Sequence, residues 1–270
     1  MSTRTDDLRL PAMDWRRMLS SPWVAPAPAA PRLRVLAFGP LRIERDGVPL
    51  TRSGKVPRKP LDLLALLVAH GGRPLDAGTV MDELWPSLDA NAPRASLDMA
   101  VSRLRKLLGE PASVCFSEGR LSLDPLLVWS DVAAFETLTE AAAVGSERAP
   151  WQALSLYTDA LLGGGPAGAR LLGRRQQLAQ RLCDMSLEAA ARLQACGAYP
   201  AACRLLQRAL ECVPLCEPLY RALMQAQLAQ GERAETLRTY QRLAELLPAT
   251  LGTVPASATR ALADQARALA

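Results

Sequence analysis

The stretch DMAVSRLRKLLGEPASVCFSEGRLSL, residues 98–123, contains two different periodicities, and their order decides the fold. In its first half Val101, Leu104 and Leu108 recur at helical spacing. With Leu97 just upstream they form an apolar stripe, with Ala100 and Leu107 beside it. Arg94, Ala95, Asp98, Met99, Ser102, Arg103, Arg105 and Lys106 are left for the exposed arc, and Gly109 ends the helix. The second half alternates instead. Val114 and Phe116 precede a Glu118-Gly119 turn and Leu121 and Leu123 follow it, which predicts a β-hairpin with one apolar and one polar face. The question this raises is whether the charged side of the helix reads DNA or is only solvated.

Upstream, LRVLAF (33–38), LRIERDG (41–47) and VPL (48–50) are short segments with β-branched or aromatic residues, punctuated by Gly39-Pro40 and Asp46-Gly47, and predict a small antiparallel sheet. PLDLLALLVAHGG (60–72) predicts a helix with a glycine exit. Asp76 stands as the N-cap of a short second helix containing Val80, Leu84 and Trp85, which Pro86 terminates. The loop PSLDANAP (86–93) leads into the third helix, Arg94 to Leu108. Sheet, three helices and hairpin together define a winged helix-turn-helix over residues 33–126. Residues 1–32, with the run PWVAPAPAAP, predict a flexible Pro/Ala/Arg-rich arm of polyproline character.

From residue 127 to 270 the composition turns to Ala, Leu, Gln and Arg, and from Asp131 onward strand signals vanish. Gly197 and Gly231 are 34 residues apart, and so are Pro214 and Pro248. Gly197, Tyr199, Ala202, Leu206, Ala209 and Pro214 fall where a tetratricopeptide repeat (TPR) places its turn glycine, its second-helix packing residues and its closing proline. The next unit keeps Gly231, Tyr240, Leu243 and Pro248 but departs at Arg233 and Thr236. WQALSLYTDAL (151–161) matches only the second helix of a unit. Such units bury their faces by stacking, so this half predicts an all-α, TPR-like array. Tyr199, Tyr220 and Tyr240 are either partner contacts or packing between repeats, with packing favoured for Tyr240.

The formal net charge of +5 is spread thinly: +2 over residues 1–32, +2 over 33–125 and +1 over the remainder. Charge alone therefore tilts only slightly toward a nucleic acid, because clustering on one face is what matters. Six cysteines lie within helix or strand patterns, which predicts a reduced, cytoplasmic protein. Cys212 and Cys216 could share a helix face, but with a single distant histidine, His70, and no CxxC pair no zinc set is expected. There is no GxSxG, and LLGGGPAG (161–168) lacks the Lys-Ser/Thr of a P-loop, so neither an enzyme nor a cofactor is expected. No apolar run is long enough for a signal peptide or a membrane span.

VLAFGPLRIERDGVPL, KVPRKPLDLLALLVAHGGRPL, MDELWP, SRLRKLLG, GRLSLDP and WSDVAAFE together resemble the antibiotic-regulatory-protein (SARP) type of bacterial transcriptional activators. In that family an OmpR-type winged helix precedes a TPR-like bacterial transcriptional activator domain. The resemblance covers nearly everything from Leu33 onward and implies sequence-specific binding of double-stranded promoter DNA with recruitment of RNA polymerase. It places the third helix in the major groove and the wing, around Gly119 and Arg120, in a neighbouring groove. The loop between the second and third helices, with Ser87, Leu88, Asp89 and Asn91, would face polymerase. A homodimer on DNA and a protein partner for the array are further expectations. With no ATPase module in the chain, any signal is expected to arrive through a partner, abundance or a ligand in the array.

On the wheel Ala95, Asp98, Met99, Ser102 and Lys106 lie most nearly opposite the apolar stripe, and Arg103 and Arg105 flank them toward the groove walls. Arg pairs bidentately with guanine, whereas Lys and Ser more often fix register on the backbone. Lys55, Arg58 and Lys59 stand at the start of the first helix, where open backbone donors suit a phosphate. Asp98 departs from the family, which often carries a basic or neutral residue there. It accepts from a cytosine amino group, pairs with Arg94 or Arg105, or signals weakened DNA binding. The last alternative leads to a second reading of the chain, an interaction adaptor whose winged helix has little DNA affinity.

Overall fold

A computed structural model describes residues 31–50, 58–86, 92–164 and 168–268. Lys55, the loop residues Ser87, Leu88, Asp89 and Asn91, the middle of LLGGGPAG and nearly all of the N-terminal arm lie outside the described residues.

The strands β1 (Leu33–Leu36), β2 (Arg42–Arg45) and β3 (Val48–Pro49) form an antiparallel meander. Three helices follow: α1 (Arg58–Ala69), α2 (Ala77–Leu84) and α3 (Ala92–Leu108), with the short strand β4 (Leu75–Asp76) between the first two. The wing is β5 (Val114–Ser117) and β6 (Arg120–Leu123), paired in register Phe116 to Leu121 and Ser117 to Arg120. Its two turn residues, Glu118 and Gly119, both take positive φ, +51° and +73°. This is the turn geometry that matches the twist of the two strands and that glycine adopts without strain. The Asp76 side chain caps α2 by accepting from the Thr79 amide at 3.1 Å.

Two pairings go beyond the predicted meander and hairpin. β4 adds to the wing, making a three-stranded sheet ordered β4-β6-β5. β7 (Val128–Ser130) returns parallel to β1, giving a sheet ordered β3-β2-β1-β7. Both strands are two or three residues long, too short for alternation to show in the sequence.

The rest is helical: α4 (Asp131–Ala143), α5 (Ala149–Leu156), α6 (Ala169–Ala195), α7 (Tyr199–Cys212), α8 (Glu217–Ala229), α9 (Arg233–Leu251) and α10 (Ser257–Ala268). Gly197 and Gly231 each make the turn within a helical pair, as their 34-residue spacing predicts. Pro248 does not close its unit as Pro214 does: it lies inside α9, which runs on to a left-handed cap at Gly252. The WQALSLYTDAL helix stops at Leu156, because Tyr157 and Leu161 turn back to the N-terminal sheet. There Thr158 Oγ1 donates to the Phe38 carbonyl at 2.8 Å, and the rings of Phe38, Phe135 and Tyr157 stack within 4.4–5.5 Å. Tyr220 is fully buried, so it is core and not a partner contact. Tyr240 is half-buried beneath Arg267, 5.7 Å from the ring centroid.

Two buried carboxylates fasten the winged helix to the array. Asp131, 2% exposed, accepts from the amides of Ala37 and Phe38 at 2.8–2.9 Å and so ties the end of β1 to the start of α4. Burial raises its pKa, and the amides that solvate the charged form oppose the rise. Glu136, also 2% exposed, contacts three guanidinium groups: Arg174 at 2.5 Å, and Arg73 and Arg181 each at 3.7 Å. Arg174 Nε also donates to the Ala69 carbonyl at the end of α1, at 2.7 Å. Gly71 passes so close to Glu136 that a Cβ there would fall 2.5 Å from its Oε2.

His70 sits at this joint. Burial first, then the charges of Arg174 and Arg170, hold its pKa below the ordinary imidazole value. A depressed pKa means that the unfolded chain binds the proton more readily. The stability contributed by neutral His70 is therefore present above about pH 6.5 and lost as pH falls through the lower folded value. Wild type is expected to lose stability between pH 7 and 5 more steeply than His70→Gln, read as the difference between their urea midpoints across that range.

Candidate nucleic-acid interface

The structure buries Leu97, Ala100, Val101, Leu104 and Leu108 of α3 against α1 and leaves Leu107 half-buried, as the wheel predicts. Opposite that stripe, Met99, Ser102, Arg103 and Lys106 fall at i, i+3, i+4 and i+7, and all four are exposed. Ala95 continues the same face toward the N-terminus. Arg103 and Lys106 make no hydrogen bond or ion pair among the described residues, and neither does Arg120, exposed at the first position of β6. Beside Met99 an open groove of about 230 Å³ runs between Pro60, Trp85 and α3, with Lys59 and Arg103 on its rim.

Four of the predicted cations are engaged within the protein. Arg105 is half-buried and donates through Nε and Nη2 to the Val114 carbonyl, at 3.1 and 2.7 Å, which pins the first residue of the wing to α3. Lys59 donates to the Leu84 carbonyl and lies 5.5 Å from the Trp85 ring centroid. A cation there satisfies an open carbonyl at the end of α2. Arg94 stacks over Phe116 of the wing at 5.1 Å and pairs with Asp98 at 3.9 Å. Of the alternatives open for Asp98, this is the intramolecular contact the structure shows. With both side chains 58% exposed it is a weak pair. Arg58, 93% exposed, reaches only Asp62, at 4.0 Å.

Arg45, which the sequence reading did not single out, donates to the Leu108 carbonyl at the end of α3. No local signal could have found it, since the contact spans 63 residues. Together Arg45, Arg105 and Arg94 orient α3 and the wing, while Ser102, Arg103, Lys106 and Arg120 stay available to a ligand.

Among the described residues no three His, Cys, Asp or Glu side chains converge as metal ligands would. Cys212 donates to the Tyr157 carbonyl at 3.2 Å. No helix among the described residues is long and apolar enough to cross a membrane.

A winged helix with an unpaired basic stripe, fastened to a TPR-like array, defines the class of two-part transcriptional regulators. The chain belongs to the bacterial transcriptional activator domain family, whose model matches residues 130–267, and residues 52–116 match the model described as transcriptional regulatory protein, C terminal. This combination is the SARP-type architecture. Regulatory protein AfsR of Streptomyces coelicolor is 29% identical over 83% of this chain, and that of Streptomyces griseus is 30% identical over 84%. The chain spans only 23% and 24% of the length of these two relatives. A solved structure of Mycobacterium tuberculosis EmbR in complex with a low-affinity phosphopeptide superposes with a TM-score of 0.63 at 25% identity, over 89% of this chain and 66% of that one.

Proposed function

We propose that the chain is a sequence-specific DNA-binding transcriptional activator. In this reading residues 33–126 bind promoter DNA and residues 127–270 supply contacts to a second copy, to RNA polymerase or to another protein. The carrying observation is the exposed stripe Met99, Ser102, Arg103 and Lys106, with Arg120 on the wing, free of internal partners among the described residues. Arg103 is suited to a guanine edge or a groove-wall phosphate, and Met99 to the apolar surface of a thymine methyl. Lys106, Ser102 and Arg120 fix register on the backbone. Arg58 adds a phosphate contact beside α1, and the segment holding Ser87, Leu88, Asp89 and Asn91 is the face offered to polymerase.

Asp98 is placed to tune this interface. Its carboxylate repels phosphates and partly neutralises Arg94. Asp98→Ala is expected to raise affinity for random-sequence DNA about three- to tenfold at 0.1 M salt, measured by fluorescence anisotropy. Unchanged affinity would place Asp98 away from the duplex.

The adaptor reading draws on the internal engagement of Arg105 and Lys59, which removes two charges from the DNA face. It predicts weak binding or none to duplex DNA even at low ionic strength, without preference for the promoter, and salt-titrated anisotropy on promoter and unrelated DNA separates the two readings.

A further inference from the structure

The charged outer face of α3 carries an exposed apolar side chain. Of the eight large hydrophobic residues exposed among the described residues, Met99, at 53%, is the one that borders the open groove of about 230 Å³ beside α3. A single exposed apolar residue is ordinary, but one that shares a concavity with an aromatic ring has a surface to offer. That ring is Trp85, half-buried at the end of α2. Its amide donates to the Met81 carbonyl at 2.8 Å, and the Lys59 ammonium lies 5.5 Å from its centroid, so both backbone and ring are anchored within the protein. Ala95, also exposed on the lining, is too small to fill the space.

The rim sets the charge of what fits. Lys59 and Arg103 are both exposed there, and no carboxylate among the described residues lines the groove. Arg103 has no internal partner among the described residues, and Lys59 has donors to spare beyond the Leu84 carbonyl. Such a surface suits a polyanion that also presents a small apolar projection. Duplex DNA displays one in its major groove, the C5-methyl of thymine, among base edges that otherwise offer hydrogen-bond donors and acceptors. Methylation of cytosine at C5 puts the same methyl on a base pair that otherwise lacks it.

We propose that the groove between Met99 and Trp85 receives a pyrimidine C5-methyl. The chain then prefers thymine over uracil, and 5-methylcytosine over cytosine, at one position of its recognition sequence. The inference rests on the DNA-binding reading and adds to it a sensitivity to cytosine methylation. The flexible thioether of Met99 adapts to the methyl. Arg103, one turn further along the same face, and Lys59 hold the flanking phosphates.

The test selects random-sequence duplexes on the full chain, which yields a preferred site independently of any promoter. Each thymine of that site is then replaced in turn by deoxyuridine, which removes only the methyl. By fluorescence anisotropy at about 0.1 M salt, one of these replacements is expected to weaken binding about three- to fivefold, the effect of burying one methyl. At the same position a 5-methylcytosine pair is expected to bind about three- to fivefold more tightly than a cytosine pair. Met99→Ala is expected to abolish both differences and Met99→Leu to keep them, while both variants unfold thermally like wild type because residue 99 lies outside the core. A ratio below about 1.5 at every thymine, or an undiminished ratio in Met99→Ala, overturns the proposal and leaves salt-dependent DNA binding standing. No binding to any duplex at about 50 mM salt overturns the proposal together with the reading beneath it.

Discussion

Glu136→Ala is expected to destabilise the chain by about 3–5 kcal/mol, the cost of removing one partner from a buried ionic cluster. The carboxylate is almost completely shielded, and Arg174, its nearest cation, is itself only 10% exposed on its side chain. Without Glu136, Arg174 keeps its bond to the Ala69 carbonyl but loses its counter-charge, and desolvation of an unpaired guanidinium dominates the change. For a chain of this length the midpoint of thermal unfolding is expected to fall by roughly 6–20 °C. Because Arg73 and Ala69 belong to the winged helix while Glu136, Arg174 and Arg181 belong to the array, the loss falls on their junction. Intrinsic fluorescence of the five tryptophans, Trp85 of the winged helix and Trp151 of the array among them, is expected to report a broadened transition. A shift below 2 °C would mean that the cluster contributes little to the joint.

The second large effect is on DNA. Arg103→Ala, Lys106→Ala and Arg120→Ala combined are expected to weaken promoter binding by about 10²- to 10³-fold at 0.15 M salt and to reduce the salt slope by about three. None of the three side chains has an internal partner among the described residues, so thermal stability is expected to change by less than about 1 kcal/mol in total. Arg105→Ala makes the informative control. It removes the two bonds to Val114 that hold the wing, so it is expected to lower stability as well as binding. Loss of binding without loss of stability in Arg105→Ala would show that this guanidinium leaves Val114 for the duplex.

These contrasts mark what the sequence could and could not disclose. The stripe of α3 and the alternation of the wing are local periodicities, and the structure reproduces both, including the Glu118-Gly119 turn. The destination of a long cationic side chain is not local. Arg103 and Arg105 look equivalent on a wheel, yet one points to solvent and the other to a strand that begins nine residues later. Lys59 and Arg45 are similar cases, each reaching a helix C-terminus across at least 25 residues of chain. Glu136 is visible in the sequence only as the carboxylate that follows the apolar run Val132–Phe135, and its three arginine partners come from two separate segments. The 34-residue spacing located both turn glycines correctly. It misplaced Pro248, which forfeits one hydrogen bond of the ladder but falls in the last turn of α9, so the helix runs three residues past it to the Gly252 cap.

The central claim is that the outer face of α3 meets DNA. It is tested most directly by titrating the purified chain against the DNA upstream of its own gene, from 50 to about 300 mM salt, with unrelated DNA of equal length as competitor. The account predicts tight binding that falls steeply and linearly in log–log form, with at least about a thousandfold preference for the upstream sequence. Absence of binding at the lowest salt, or equal binding to both DNAs, would contradict it and leave that face a solvated surface.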